Sequence, residues 1–260
     1  MNSLRLQWMY LTFCVLLAAC SDSVQHLAKT SANPQPDNSL FLMLRDSSFR
    51  HQSGLFSYCA LTDFYNDRHH QLAWLKEDGL TPQGDSLLVL LKRVQYHGLI
   101  PDDYDRDIID SMATLVNTKV ADIHSLALLD IRMTDALMRM AFHVRYGRVQ
   151  KDVYTETTPS AAMDAELISF LKQTTRRSIT KAIQSWEPSY SAYKILKQEM
   201  GRKLDSLALT VDSDSRSRLE NQIGDLALNM EQWRWESNTT GRYILVNIPS
   251  YKMEVIDHDS

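Results

Sequence analysis

Several features that point to common functions are missing from this chain of 260 residues. After the first twenty residues there is no run of eighteen apolar residues, so no internal membrane span is expected. The formal net charge is −4, whereas nucleic-acid-binding domains normally carry a basic face, so no nucleic-acid partner is predicted. Motifs of the H-E-x-x-H and C-x-x-C types are also absent from the sequence. We therefore predict neither a metal site nor a cofactor.

Cysteine is scarce, and two of the three cysteines lie in an N-terminal segment that resembles a bacterial lipoprotein signal. Arg5 precedes an apolar run over residues 8 to 19, which ends in Leu17-Ala18-Ala19-Cys20. Residues 1–19 are predicted to be removed, because the peptidase must admit small residues before the cleavage point, and Cys20 is then the lipidation site. The alternative is an ordinary signal peptide with an incidental cysteine.

Residues 20–38 are polar and contain two prolines, as is typical of a flexible tether. With the lipid on Cys20, this segment would link the protein to a membrane of the bacterial cell envelope, facing the periplasm. Ser21 follows the cysteine, which favours the outer membrane over the inner one.

Cys59 is left without an intramolecular disulfide partner, because Cys14 and Cys20 belong to the signal and the anchor. One hypothesis makes Cys59 a nucleophile that His69 or His70 activates. The other places it in the core, since the neighbouring residues of Tyr58-Cys59-Ala60-Leu61 are mostly apolar and buried free cysteines are common. The sequence favours core packing.

Residues Asp122 to Val149 are predicted to form a buried central helix. Apolar residues recur at helical spacing on nearly all sides of this stretch, which is typical of a helix enclosed by others. Asp135 and Arg139 are four residues apart, in the favourable order for a helix pair. Gly147 supplies a residue that tolerates positive φ and predicts the end of the helix.

The remaining patterns predict a mainly α fold in which further helices surround the central one. A multi-helix domain is predicted over residues 39–236. Its segments include a helix over Ser86 to Tyr96, which a glycine and a proline terminate. After Gly241 the pattern changes to two strand-like runs that predict a β-hairpin in residues 241–260, with Met253 and Val255 facing inward. This hairpin is expected to begin a β domain that the chain leaves incomplete.

An acidic cluster formed by Asp102, Asp103, Asp105 and Asp107 allows two interpretations. It could be a metal or acid–base site, but no turn glycine follows it as in calcium loops. Acids in the first turn of a helix beginning near Asp102 fit the pattern better, since they complement the helix dipole. The adjacent His69 and His70 point in different directions on a helix and could not chelate one ion together.

Several sequence blocks, taken in their order along the chain, resemble those of one enzyme family. They are Phe64-Tyr65-Asn66-Asp67-Arg68, Gln71-Leu72-Ala73-Trp74, His97-Gly98-Leu99-Ile100-Pro101-Asp102-Asp103-Tyr104, Leu129-Asp130, Thr134-Asp135-Ala136, Gly147-Arg148-Val149, Pro188 with Tyr193, Asn229-Met230-Glu231-Gln232-Trp233-Arg234, and Arg242-Tyr243-Ile244-Leu245-Val246-Asn247-Ile248-Pro249. These blocks are similar to those of the large L,D-transpeptidases, which carry a helical scaffold domain before the catalytic domain.

This resemblance implies a role in peptidoglycan crosslinking. In the family a cysteine thiolate attacks a donor stem peptide, releases its terminal D-alanine and passes the acyl group to an acceptor amine. The cysteine lies in a downstream serine-x-glycine-cysteine-x-arginine motif, which does not occur before Ser260. No catalytic residue can therefore be carried over, and the chain alone is expected to be inactive. The linker between Met200 and Leu219 is also too short for the peptidoglycan-binding module that some relatives insert, so glycan binding by the chain itself is not implied.

Two functions follow as hypotheses. The first is that the chain is the scaffold portion of an L,D-transpeptidase, with a catalytic domain supplied in cis or in trans and peptidoglycan as the eventual partner. The alternative is a non-catalytic envelope lipoprotein that uses the helical scaffold as an interaction module. A soluble glycosidase is a more distant third hypothesis, because it depends only on carboxylates that no predicted element pairs across a cleft.

Overall fold

A computed structural model describes residues 36–76, 78–118, 121–151, 156–236, 242–247 and 251–257. The predicted signal peptide, Cys20 and the tether as far as residue 35 lie outside these residues. The first described helix begins at Pro36, so the last three residues assigned to the tether are helical. Among the described helices none is long and apolar enough to cross a membrane.

The described residues are mainly helical, which confirms the predicted fold class. The helices are α1 (Pro36–Arg45), α2 (Ser47–Gln52), α3 (Tyr58–Asp67), α4 (Pro82–Lys92), α5 (Arg106–Asn117), α6 (Ile123–Tyr146), α7 (Ala161–Thr174), α8 (Ile179–Gln184), α9 (Ser191–Leu209) and α10 (Ser213–Trp235). Two 3₁₀ turns cover Val94–His97 and Pro101–Tyr104. Strands β1 (Leu75–Lys76) and β2 (Gly79–Leu80) form one short antiparallel pair, and β3 (Tyr243–Asn247) and β4 (Lys252–Ile256) form another.

Helix α6 is the predicted central helix, and sixteen of its 24 residues are buried. The Asp122 side chain begins it by accepting a hydrogen bond from the Ser125 backbone N–H at 2.7 Å. Gly147 follows its last turn with φ of +85°, a conformation that glycine tolerates best. Helices α1, α3, α4, α5, α7 and α10 all contact α6, so one continuous core forms around it.

Helix boundaries differ from the predicted ones where polar side chains cap the backbone. Helix α4 begins four residues early, because the Thr81 side chain accepts from the Gly84 N–H at 3.0 Å and Pro82 occupies the first turn. Similarly, helix α10 begins at Ser213, inside the stretch between Met200 and Leu219 that the sequence analysis treats as a linker. The Asp212 side chain caps this helix by accepting from the Ser215 N–H at 2.8 Å.

A smaller core joins α9 to α10 beside the main one. It consists of Tyr190, Tyr193, Met200, Leu204 and Met230. The 3₁₀ turn that ends at His97 reaches this core because Gly98, at φ of +65°, lies against Met230. A Cβ at position 98 would approach the Met230 sulfur to 3.0 Å, a tight contact that adds to the preference for glycine set by the backbone conformation.

The hairpin of β3 and β4 packs one face on this second core. Tyr243 meets the Tyr190 ring edge-on at 5.7 Å between ring centres. The prediction that Met253 and Val255 face inward is wrong, because both side chains are exposed. They lie opposite Val246 and Ile244 in the register of the two strands, and these are also exposed. The outer face of the hairpin is therefore apolar and uncovered in the described part of the chain.

Candidate functional site

Cys59 does not lie in the core, so the favoured prediction for this residue is wrong. Its side chain is exposed near the start of α3, while Ala60, Leu61 and Phe64 of the same helix turn inward. About 12 Å of helix separates Cys59 from the end of α3, beyond which His69 lies. The nucleophile hypothesis therefore lacks the adjacent base that activation of a thiol requires.

The two adjacent histidines have unusual backbone conformations, with φ of +54° at His69 and +61° at His70. They form a turn after α3 rather than part of a helix. The His70 ring packs edge-on against Phe41 at 4.8 Å between ring centres. Among the residues that the structure describes, no group of three or more His, Cys, Asp or Glu side chains is arranged to hold a metal ion.

The acidic cluster forms two half-buried ion pairs and a third, largely exposed pair between Asp107 and Arg106 at 3.0 Å. Asp103 accepts from the Arg148 Nε at 2.5 Å, and Asp105 accepts from Arg132 at 2.8 Å. Asp105 has φ of +48° and precedes α5, which begins four residues later than the start predicted at Asp102. Asp103 and Asp105 therefore connect the second 3₁₀ turn and the residue after it to the central helix and to the segment that follows this helix. The helix-start interpretation is correct for Asp107, which lies in the first turn of α5, and wrong for the acids before it.

Asp130 is the most enclosed carboxylate of the described chain, and four donors surround it. The Tyr65 hydroxyl donates to Oδ1 at 2.5 Å, and the backbone N–H groups of Ala73, Trp74 and Leu75 donate at distances of 2.8 to 3.1 Å. Burial raises the pKa of Asp130, and these four hydrogen bonds oppose that rise. Through this side chain, helix α6 binds the backbone N–H groups of residues 73–75, at the end of the segment between α3 and β1.

Thr134, one turn further along α6, extends this network. Its hydroxyl oxygen accepts from the Trp74 indole N–H at 2.8 Å and lies 2.6 Å from the Tyr65 hydroxyl. Both aromatic side chains are fully buried. The network therefore orients two large core residues, and no free nucleophile or ligand-facing group belongs to it.

Asp135 and the two arginines near it hold the loop before α3. The Asp135 carboxylate accepts from the Phe56 N–H at 2.7 Å and from Arg139 at 3.3 Å, which confirms the predicted pair between the two side chains. Arg139 also donates to the Gly54 carbonyl at 3.1 Å, and Arg132 donates to the Ser53 carbonyl at 3.0 Å. Burial raises the pKa of Asp135, and Arg139 is the first of the groups that oppose this.

The end of the central helix forms a second polar assembly, here called the junction and comprising His97, Gly147–Val149 and Glu231 to Trp235. The Glu231 carboxylate accepts from the backbone N–H groups of Arg148 at 2.5 Å and Val149 at 2.9 Å. The Trp235 indole N–H donates to the Val149 carbonyl at 2.7 Å. A Cβ at position 147 would come within 2.8 Å of the Glu231 carboxylate, so only glycine fits.

Arg234 is the buried centre of the junction. Its guanidinium donates to Glu231 at 2.9 Å, to the His97 carbonyl, and to the Tyr193 hydroxyl at 3.3 Å. Burial alone would lower the pKa of Arg234, but Tyr193 and Glu231 hold it above its ordinary value. One side chain thus joins the 3₁₀ turn after α4 to both α9 and α10.

His97 takes part in the junction as a neutral side chain. Burial lowers its pKa. The Glu187 carboxylate lies 2.8 Å from Nδ1 and also contacts Lys197. Burial would raise the pKa of Glu187, but the hydrogen bonds from His97 and Lys197 lower it, so Glu187 is ionised and can only accept. Nδ1 of His97 therefore carries the donated proton.

His143, on the last turns of α6, is also neutral. Burial lowers its pKa to about 3, and the nearby Arg139, Arg234 and Arg148 act in the same direction. Nδ1 of His143 and the Tyr104 hydroxyl are hydrogen-bonded at 2.8 Å, and the tautomer of the neutral ring decides which of the two atoms donates. Neither buried histidine has a cysteine or serine nucleophile as a hydrogen-bond partner among the described residues.

Both polar assemblies hold elements of the fold in position. The junction connects the end of the central helix to α10 through the hydrogen bonds of Glu231, Arg234 and Trp235. His97, Gly147–Val149 and Glu231 to Arg234 lie in three separate sequence blocks, and the sequence did not predict that they meet. The available signal was an arginine and a glutamate three residues apart beside two tryptophans in α10.

Comparison with known proteins identifies one family. A family model described as a Scaffold domain matches residues 60–200, which is 141 of the 260 residues. The matched region runs from α3 into α9 and includes the whole of the central helix. No curated protein and no solved structure matches the chain significantly.

Proposed function

This chain belongs to the Scaffold domain family, and on that premise we propose that it is the helical support of a cell-wall L,D-transpeptidase. In this role it takes part in peptidoglycan crosslinking without supplying the nucleophile. A catalytic domain, in cis or in trans, performs the acyl transfer on the platform that the scaffold and hairpin provide.

The exposed outer face of the hairpin is the observation that carries this proposal. Four apolar side chains on it are between 56% and 68% exposed, namely Ile244, Val246, Met253 and Val255. A two-stranded hairpin is marginal by itself in water, and an apolar face of this kind normally packs against further structure. Additional strands of a catalytic sheet would extend the hairpin and cover the face.

The junction supports the same role, because a platform must transmit a fixed orientation. Arg234 and Glu231 hold α10 against the end of the central helix through buried or half-buried hydrogen bonds. The hairpin then packs on α9 and α10 through Tyr243, Tyr190 and the neighbouring Trp233. The position of a domain that packs on the hairpin would therefore be set by the helical core.

An acyl-transfer assay tests the proposal. The chain alone, incubated with a tetrapeptide stem and an acceptor amine, should release no D-alanine, because a positioned thiolate is required. Fusing an L,D-transpeptidase catalytic domain after the hairpin should produce release that exceeds the rate of the isolated domain. Val246→Lys on the uncovered face should abolish the gain, whereas the matched Val211→Lys, at a residue 96% exposed between α9 and α10, should leave it unchanged.

Two results would contradict this function. Release of D-alanine by the chain alone, abolished by Cys59→Ser, would make the chain itself catalytic. Equal rates for the fused and the isolated domain would favour the alternative, a non-catalytic envelope lipoprotein whose scaffold binds other partners. The exposed position of Cys59 near the start of α3, at the opposite end of this helix from His69 and His70, is the observation that keeps this alternative open.

We also propose that Cys20 is lipidated and anchors the protein to the envelope, facing the periplasm. The support is the Leu17-Ala18-Ala19-Cys20 sequence and the polar segment that follows it. In cells fed a labelled fatty acid, wild-type protein should carry the label and fractionate with membranes. Cys20→Ala should lose the label and accumulate as the uncleaved precursor, whereas Cys59→Ser should behave as wild type. Equal labelling of the Cys20→Ala protein would disprove the anchor.

A further inference from the structure

An open cleft of about 450 Å³ lies where α3 and α7 end beside each other. Its lining includes Arg68, His69, Lys172 and Arg176, and Asp67 is the single carboxylate among the lining residues. The whole chain has a formal net charge of −4, so this group of cations departs from the overall composition. No residue of the junction or of the hairpin lines this cleft.

Most cations at this place have no carboxylate partner. Lys172 pairs with Asp67, so these two charges cancel. Arg68 instead donates to two backbone carbonyls, at 2.9 and 3.3 Å, and its positive charge is not balanced by them. Arg176 and the adjacent Arg177 are exposed, and neither forms an ion pair with another described residue. Three arginines therefore contribute positive charge to this surface.

The positive surface continues onto α1, the first described helix. The ring of His70, which follows the cleft residue His69, packs against Phe41 at 4.8 Å between ring centres. Arg45, one turn further along α1, places its guanidinium carbon 5.2 Å from the centre of the Phe41 ring. Arg45 is exposed and likewise forms no ion pair within the described residues. The surface formed by Arg45, Arg68, Lys172, Arg176 and Arg177 is here called the basic end.

Helix dipoles account for only part of this charge. The C-terminal ends of α3 and α7 each carry the equivalent of about half a negative charge, which a nearby cation complements. Arg68, Arg176 and Arg177 follow these two ends, so three positive charges meet about one negative charge. Like charges on one surface repel each other, and an anionic partner would remove this repulsion.

The place of the basic end along the chain favours a membrane as that partner. Pro36, where α1 begins, follows Cys20 by sixteen residues. A segment of this length spans at most about 55 Å even when it is fully extended. A lipid on Cys20 would therefore keep α1 close to the membrane. Clusters of Lys and Arg in such a position are attracted to anionic lipid headgroups, and a basic surface combined with a lipid anchors more firmly than either does alone.

We propose that the basic end docks on a membrane surface that contains anionic phospholipid, as a second contact besides the lipid on Cys20. The arginine side chains bind phosphate oxygens of the headgroups, which the planar guanidinium group matches. The ends of α3 and α7 then face the membrane, so the contact orients the scaffold as well as attaching it. The inference rests on the proposed Cys20 anchor for its place in the cell, but the attraction itself requires no lipid on the chain.

Vesicle sedimentation tests the contact in the absence of the anchor. The protein is residues 20–260 with Cys20→Ser, which contains every described residue and carries no lipid. It should sediment with vesicles of equal parts phosphatidylglycerol and phosphatidylcholine, and not with vesicles of phosphatidylcholine alone. Binding should fall as salt is added. The predicted signal peptide is left out, because its apolar run would itself enter either kind of vesicle.

Substitutions at exposed arginines identify the surface that binds. Arg176→Gln should weaken binding to the anionic vesicles about fivefold, which is the effect of one basic residue near a charged membrane. Combining it with Arg45→Gln and Arg177→Gln should weaken binding about a hundredfold. Arg68 is kept, because it holds two backbone carbonyls. The melting temperature of the triple variant should equal that of the wild type, since all three side chains are exposed.

The matched control combines Arg202→Gln, Arg216→Gln and Arg218→Gln, which remove the same charge from exposed positions on α9 and α10 and should leave binding close to wild type. An equal loss in this control would overturn the proposal, because net charge rather than the basic end would then decide binding. Equal binding to the neutral vesicles would overturn it too. So would displacement by glycerol 3-phosphate at the lipid concentration, which would make the cleft a site for free phosphate.

The docking surface and the anchor can fail separately. Fatty-acid labelling of Cys20 reports on the anchor, whereas the vesicle measurements use a protein that has none. If Cys20 proves to be unlipidated, sedimentation with anionic vesicles still supports the docking surface. If labelling succeeds and the unlipidated protein ignores anionic vesicles, the docking surface is disproved and the anchor stands.

Discussion

Leu137→Asp should unfold most of the protein at room temperature. Leu137 lies in the middle of α6 and is 0% exposed. The substitution loses the burial of a leucine and places an unpaired carboxylate in the core, so we expect a loss of about 5 kcal/mol or more in the free energy of unfolding. That is comparable to the whole stability of many domains, which is about 5–15 kcal/mol.

Thermal and urea melts followed by circular dichroism measure this effect. Leu228→Asp is the matched control, because Leu228 is also in the middle of a long helix but is 65% exposed. Its melting curve should lie close to that of the wild type. Leu137→Ala gives an intermediate case that remains folded enough to measure, with an expected loss of about 2–5 kcal/mol. If the Leu137→Asp protein melted at the same temperature as the wild type, α6 would not be enclosed by the other helices.

Asp130→Ala should be nearly as severe, for a different reason. The substitution removes the acceptor of four hydrogen bonds and leaves three backbone N–H groups, those of residues 73–75, without a partner in the core. We expect the free energy of unfolding to fall by about 4 kcal/mol or more. Asp107→Ala makes the same change at a side chain that is 83% exposed and should cost less than about 1 kcal/mol.

Asp130→Asn refines this prediction. Its amide oxygen can still accept from Trp74 and Leu75, while its amino group can donate to the Tyr65 oxygen, so it should lose less stability than Asp130→Ala. Urea melts at neutral pH give the three free energies under one condition. If Asp130→Ala were no less stable than Asp107→Ala, the hydrogen bonds from the Asp130 carboxylate to the backbone of residues 73–75 would not stabilise the fold.

Local sequence was sufficient for most of the helices. The buried central helix followed from apolar residues on nearly all sides, and its structural limits, Ile123–Tyr146, fall within the predicted stretch. The end at Gly147 followed from the backbone conformation that glycine permits. These features depend on interactions between residues that are close in the sequence, so the sequence alone predicts them. The end predicted at Tyr96 was wrong for the α-helix, because α4 ends at Lys92 and a separate 3₁₀ turn, Val94–His97, precedes Gly98.

The faces of shorter elements could not be predicted in the same way. Ala60 and Leu61 turn to the core while Cys59, one position earlier, faces solvent. An apolar run identifies a helix, but the direction of the core decides which residues it buries. Met253 and Val255 were misplaced for the same reason, since the alternation in β4 defines two faces without indicating which one is covered.

The junction and the cleft depended entirely on tertiary structure. Arg234 and His97 are 137 positions apart, yet the arginine donates to the carbonyl of that histidine. Asp130 and Tyr65 meet across 65 positions in the same manner. Local sequence set where the chain turns into helices, because that depends on neighbouring residues. Only the packing of those helices decided which polar groups are buried together, because burial creates the need for a partner and the fold determines which one is within reach.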